Sequence, residues 1–240
     1  MQQAASILQV DGIDAAYGRA QVLFGVSLRL ERGETVALMG RNGAGKSTTL
    51  KAIMGLLPVA AGSIRFAGHE ISRLPTYRIA RLGLGYVPED RRIFTDLSVF
   101  ENLEVGAKAA RREGRARWTP ERLFSIFPNL AEMRGRQAAQ MSGGEQQMLS
   151  IARTLMGNPE AILLDEPTEG LAPVIVEEMA QAIARMKREG IAVLLSEQNL
   201  GFATAVADRA YLIAKGIVRH DGPMAEIAGN AALRETHLGV

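Results

Sequence analysis

Of 240 residues, 22% are charged and 47% hydrophobic, the balance of a globular chain able to bury one large core. Lys plus Arg number 28 against 26 Asp plus Glu, a net of only +2 that argues against a nucleic-acid partner, and zero cysteines exclude disulfides and thiolate metal sites. No apolar stretch approaches the ~18 to 20 residues that span a bilayer, and the polar start Met1-Gln2-Gln3 has no signal-peptide pattern, so a soluble protein on the cytoplasmic side is expected.

From Ile7 to about Glu89, β-rich segments alternate with one helix. The apolar run Thr35-Val36-Ala37-Leu38-Met39 reads as a strand, and Thr48 to Met54 as helix-compatible. Between them, Gly40-Arg41-Asn42-Gly43-Ala44-Gly45-Lys46-Ser47 is a complete G-x-x-x-x-G-K-[ST] phosphate-binding loop in the strand–loop–helix setting that the motif needs. Glycines let the backbone fold tightly, so that consecutive N–H groups face phosphate oxygens, and the positive end of the following helix adds attraction. Lys46 suits the β- and γ-phosphates and Ser47 a Mg²⁺ ion, with Thr48 next in the cradle.

Roughly Asp90 to Gln140 is poor in strand signals, with helical spacing at Phe100–Leu103 and Leu123-Phe124-Phe127-Leu130. The basic stretch from Lys108 to Trp118 reads as a solvated helix face or loop, or as a lipid-headgroup contact. Ser142-Gly143-Gly144 opens a further predicted helix, Glu145 to Met156, and so forms a second helix N-terminus able to meet an anion. Ala161-Ile162-Leu163-Leu164 is apolar throughout, as a strand buried on both faces must be, and ends in Asp165-Glu166. Adjacent carboxylates at such a strand end are costly to desolvate unless a cation or substrate compensates. Asp165 therefore suits the Mg²⁺ side, and Glu166 the general base for an attacking water. After these come Val174–Arg188, Ile191–Leu195, Ala203–Ala207 and Tyr211–Ala214, again alternating helix and strand. The expected architecture is one α/β domain over residues 1–240. Its nucleotide-binding core covers about 7–89 and 141–240, with a β-rich N-terminal part, and an inserted helical lobe covers about 90–140.

Taken together, the phosphate loop, Met141-Ser142-Gly143-Gly144-Glu145-Gln146-Gln147 and Asp165-Glu166 resemble the ATP-binding-cassette (ABC) ATPases. The resemblance implies ATP and Mg²⁺ as ligands and a head-to-tail dimer, in which Ser142, Gly143 and Gly144 close on ATP held by the partner. It places Tyr17 against adenine, and Glu169 to Pro173 at the partner contact. Two positions depart from the common pattern: Glu89 stands where most members have a Gln that senses Mg²⁺ and the membrane partner, and Gln198 where the usual switch residue is His. Glu89 keeps an oxygen that suits a hard cation, and Gln198 an amide that hydrogen-bonds a γ-phosphate without carrying a proton.

Val87 to Phe94, Ser98 to Leu103, Ser142 to Leu149, Glu-Gln-Asn at 197–199, Val206 to Tyr211 and the closing His237-Leu238-Gly239-Val240 are similar to the smaller ATPase of branched-chain amino acid importers. Related importers of urea or short-chain amides are a second reading, toward which Trp118 to Arg122 leans, and a non-transport ABC ATPase is a third. On the importer reading the partners are two transmembrane permease subunits, a second ABC ATPase subunit and, indirectly, an extracytoplasmic solute-binding protein. The chain would then sit peripherally on the cytoplasmic face of the inner membrane.

Overall fold

The computed structural model describes residues 6–108 and 117–239. Strands β1 (Ser6–Tyr17), β2 (Ala20–Glu31), β4 (Val59–Phe66) and β5 (His69–Glu70) form an antiparallel sheet of order β2-β1-β4-β5. Strands β3 (Thr35–Met39), β6 (Leu84–Val87), β7 (Ala161–Asp165), β8 (Ala192–Glu197), β9 (Arg209–Ala214) and β10 (Ile217–Pro223) form a second, of order β10-β9-β3-β8-β7-β6. Its pairs are parallel except for β9 with β10. This is an α/β fold with a β-rich N-terminal layer.

Strands β3, β7 and β8 are buried at every position, which is why they read as continuous apolar runs with no alternation. Alternate side chains nevertheless serve two different cores. Val36, Leu38, Leu163 and Leu194 face the antiparallel sheet and helix α1 (Lys46–Ile53). Ala37, Met39, Leu164 and Leu195 face a cluster that includes helices α6 (Gly143–Met156) and α7 (Pro173–Arg188). Helices α3 (Val99–Gly106), α4 (Pro120–Ile126) and α5 (Pro128–Glu132) join that second cluster through Val99, Leu103, Leu123 and Leu130.

Local capping accounts for several helix starts. Ser98 with Glu101, and Ser142 with Glu145, form capping boxes at α3 and α6, so α6 begins at Gly143, two residues before the expected Glu145. Thr119 caps α4 with Pro120 at its first position, and Asn199 caps helix α8 (Leu200–Val206), which places that helix earlier than the apolar spacing of Ala203–Ala207 implied. Strand β10 carries charged and glycine positions at the sheet edge and so shows no strand pattern in the sequence; helices α9 (Met224–Gly229) and α10 (Ala231–His237) follow it. Of the basic stretch, residues 109–116 lie outside the described residues, as does Val240 of the closing motif; Trp118, however, is buried in the second cluster beneath the Arg122 guanidinium, 4.2 Å from its ring centre, and is core rather than a surface aromatic. Among the described residues no helix is long and apolar enough to cross a membrane.

One turn ties the layers to the phosphate loop. Gly216, between β9 and β10, donates its N–H to the Ala44 carbonyl (2.8 Å) and accepts from the Phe24 N–H (2.9 Å). At φ 74°, a Cβ there would lie 1.8 Å from the Val22 carbonyl oxygen, so only glycine permits this approach.

Candidate functional site

The parallel order of β3, β8 and β7 brings three strand exits side by side, since Met39 is in register with Glu197 and Asp165 with Ser196. The crevice outside the carboxyl ends of such strands is where open α/β sheets bind ligands. From β3 the chain turns through residues 40–45 into α1. Gly45 is the N-cap at φ 110°, and no side chain caps the helix, so its first amides are left for an anion. Ala44, Lys46 and Thr48 are buried, Ser47 is half-buried, and Arg41, Asn42 and Gly43 are exposed.

Lys46 reaches past the exit of β8 to the end of β7. Its Nζ donates to the carbonyls of Gly40 (2.8 Å) and Arg41 (3.2 Å) and pairs with Glu166 at 3.0 Å. An ammonium and a carboxylate this buried, with side-chain exposures of 3% and 9%, hold each other in place. Asp165 accepts from the Ser196 hydroxyl (2.7 Å) and from the Tyr86 hydroxyl (3.1 Å), and burial together with the Asp165 charge raises the Tyr86 phenol well above its usual range. Glu166 adopts φ 43°, a left-handed conformation that is strained for a residue with a side chain; its amide is held by the Ser196 carbonyl (3.2 Å) and hydroxyl (3.0 Å). Burial pushes the Glu166 carboxyl up, but hydrogen bonds from Glu169, Lys46 and Gln198, together with the Lys46 charge, outweigh it and leave the group below the ordinary glutamate value. Gln198 donates its amide to Asn42 (2.6 Å) and to Glu166 (3.2 Å), linking the phosphate loop to the carboxylate.

The structure thus brings Lys46, Asp165, Glu166, Gln198 and Asn42 together. Glu89, just past β6, lines a small polar cavity with Glu166 and Glu169. Gly143 packs against the Arg91 guanidinium and Gly144 against Ile175, while Gly40 and Gly45 sit against Ile213 and Leu23. Among the described residues no hydrogen bond or ion pair joins the two loops. Tyr17 ends β1 about half exposed, with no hydrogen bond or ring contact to the phosphate loop among the described residues. No group of three His, Asp or Glu among the described residues forms a cage for a metal by itself. Mg²⁺ is commonly held by one or two protein oxygens plus phosphates, and the Ser47 hydroxyl and the Asp165 carboxylate could supply those oxygens. Sequence reasoning passed over three supports: Tyr86 and Ser196 on Asp165, and the buried Glu197, which accepts from Thr168 (2.5 Å) and from the amides of Gln198 (3.0 Å) and Asn199 (3.1 Å). Only the long-range partner of each distinguishes it from an ordinary strand residue.

A helix N-terminus with a reaching lysine, facing a strand-end Asp–Glu pair, is the arrangement that a nucleotide-hydrolysing site requires. Residues 23–169, more than half of the chain, match the family model for ABC transporters. The chain belongs to the ABC transporter ATP-binding family. This family of ATPases binds ATP, typically with Mg²⁺, hydrolyses it to drive transport, and works as dimers with transmembrane permease components. The chain is 42% identical over 234 residues to the high-affinity branched-chain amino acid transport ATP-binding protein BraG of Pseudomonas aeruginosa, covering 97% of this chain and 100% of that one. It is 35% identical over 238 residues to the lipopolysaccharide export system ATP-binding protein LptB of Escherichia coli, covering 97% of each. Among solved structures, an ATP-binding subunit of an ABC transporter superposes with TM-score 0.80 at 30% identity, over 97% of this chain and 96% of that one. An ATP-binding cassette of an ABC transporter in its ADP conformation, at 24% identity and TM-score 0.83 over 98% of this chain and all of that one, shares the fold. This ABC ATPase is therefore a transporter subunit.

Proposed function

We propose that this ABC ATPase energises uptake of branched-chain or related amino acids from the cytoplasmic face of the inner membrane, with two permeases, a second ABC ATPase subunit and an external solute-binding protein. The observation that carries the cargo reading is the 42% identity to BraG along nearly the whole chain, against 35% to LptB. Import of urea or short-chain amides is the alternative on the same machinery; the LptB likeness favours export as a second reading.

On this reading Gly40 to Thr48 cradle the triphosphate, Lys46 neutralises its β- and γ-oxygens, and Tyr17 stacks on adenine. Ser47 and Asp165 hold Mg²⁺, with Glu89 as an outer oxygen donor; the ion neutralises charge on the phosphates. Glu166 takes a proton from the attacking water, and Gln198 orients that water or the γ-phosphate. Ser142, Gly143 and Gly144 serve the nucleotide of the partner subunit. The nucleotide-binding core is about 7–89 and 141–240, and the helical lobe about 90–140. A groove of about 890 Å³, lined by Leu56, Tyr86, Glu89, Phe94 and Val105, runs back to Asp165 and suits the permease contact.

The test of cargo is transport itself. Proteoliposomes holding the complex assembled with its co-encoded permeases, with ATP and Mg²⁺ on the ATPase side and the solute-binding protein on the other, should accumulate labelled leucine and isoleucine. Accumulation of urea or acetamide alone would move the assignment to the amide class, and ATP-driven removal of lipid from the bilayer would overturn import. The role of Gln198 has its own measurement: Gln198→Ala should cut turnover about tenfold while ATP affinity stays within a few-fold, because the lost contact is one neutral hydrogen bond to the reacting groups. An unchanged rate would make the position structural.

A further inference from the structure

Gln147, on the second turn of α6, is 2% exposed, yet neither its amide oxygen nor its amide nitrogen has a hydrogen-bond partner among the described residues. An unmatched amide is costly to bury, so such groups are satisfied by protein or by ordered water. Gln147 lines the cavity of about 150 Å³ whose walls also carry Glu166, Glu169, Glu89, Arg91 and Leu171. That volume is far above the ~10 to 15 Å³ that one water needs, and the lining carboxylates and guanidinium offer it further partners. The same face of α6 fixes the Arg91 wall. Ser150, three residues on, donates its hydroxyl to the Arg91 carbonyl (2.6 Å), and Arg153 donates to the Arg92 carbonyl (2.6 Å). These bonds hold Arg91 and Arg92 at φ 61° and 49°, left-handed conformations that persist only where the surroundings impose them.

We infer that Gln147 is a positioning residue for hydrolysis: it anchors ordered water in this cavity, and that water hydrogen-bonds the Glu166 carboxylate. An amide both donates and accepts, so it can hold a water whose own protons are directed at carboxylate oxygens. The direct partners of Glu166 are shared with other groups. Lys46 is also assigned to the phosphates, and Gln198 divides its amide between Glu166 at 3.2 Å and Asn42 at 2.6 Å. Water held from the α6 side supports the carboxylate whether or not nucleotide is bound. Because α6 starts at the Ser142 cap, one helix then joins the loop assigned to the partner's nucleotide with this chain's own base. The inference rests on Glu166 being the base.

The test joins a crystal structure of the full chain, at a resolution that shows ordered water, to steady-state ATP turnover of Gln147→Met and Gln147→Asn. Met matches the length of Gln without its polar atoms, whereas Asn keeps the amide one methylene shorter, a gap that water can span. The parent should show water within hydrogen-bonding distance of both the Gln147 amide and the Glu166 carboxylate. Met should lower kcat about tenfold, the scale of one hydrogen bond to a charged group, with KM for ATP within about two-fold and Tm unchanged. Asn should restore most of that loss. A cavity without water at Gln147 overturns the inference, as does a Met variant at the parental rate or an Asn variant as slow as Met. A Tm that falls together with kcat in the Met variant also overturns it, and assigns Gln147 to the packing of α6. Failure of the underlying reading looks different: Glu166→Gln would then turn over at near the parental rate with Gln147 intact.

Discussion

Lys46→Ala protein should lose ATP affinity and fall about 10²-fold or more in turnover, the scale set by removing one charge-stabilising donor from a phosphate-transfer site. Two effects act in the same direction. The ammonium that neutralises the β- and γ-phosphates is gone, and Glu166, 9% exposed, loses its ion-pair partner. Two of the influences that keep the Glu166 carboxyl below its ordinary value come from Lys46, so in the variant that value rises. Lys46→Arg separates charge from shape: it keeps the cation but cannot repeat a single ammonium bonded at once to Gly40, Arg41 and Glu166. Nucleotide titration and steady-state hydrolysis read both effects. Near-parental turnover in Lys46→Ala would sink the phosphate-loop assignment.

Glu166→Gln separates binding from chemistry. The amide keeps the size and much of the hydrogen bonding of the carboxylate but cannot accept the proton of water, so ATP should bind while hydrolysis drops about 10²-fold or more. Closure around ATP then no longer ends in cleavage, and size-exclusion with ATP and Mg²⁺ should show a trapped dimer. A monomer that persists even with the partner ATPase added would contradict the head-to-tail dimer. The same variant changes the dependence of stability on pH. In the parent the Glu169 carboxyl is raised from 4.5 to about 7 by Glu166, so its stabilising contribution is full below about 4.5 and is lost as pH rises through about 7. With Gln at 166 that cause is removed, and the Tm of the variant should decline less between pH 5 and 7.5 than that of the parent, read at fixed ionic strength. Parallel Tm curves would show that Glu166 is not what raises the Glu169 carboxyl.

What the sequence by itself determined was local. The phosphate loop, its flanking strand and helix, the helix start at Ser142, and the apolar strand ending in Asp165-Glu166 all lie in contiguous residues, so backbone chemistry and hydrophobic pattern reveal them without knowledge of the fold. What only the tertiary structure decided is which strand exits are neighbours. Strands β3, β7 and β8 are apolar on both faces, so their sequences carry no alternation to show order or facing, and the meeting of Lys46 with Glu166 or of Gln198 with Asn42 follows from the order β3-β8-β7 alone. Strand β10, polar and at the edge, had no pattern to read. The clamp of Gly216 on Ala44, and the hydrogen bonds from Tyr86 and Ser196 to Asp165, depend on a backbone or side-chain group meeting a partner far along the chain. Such bonds form because buried polar groups must be satisfied, a requirement that arises only once packing has removed them from water.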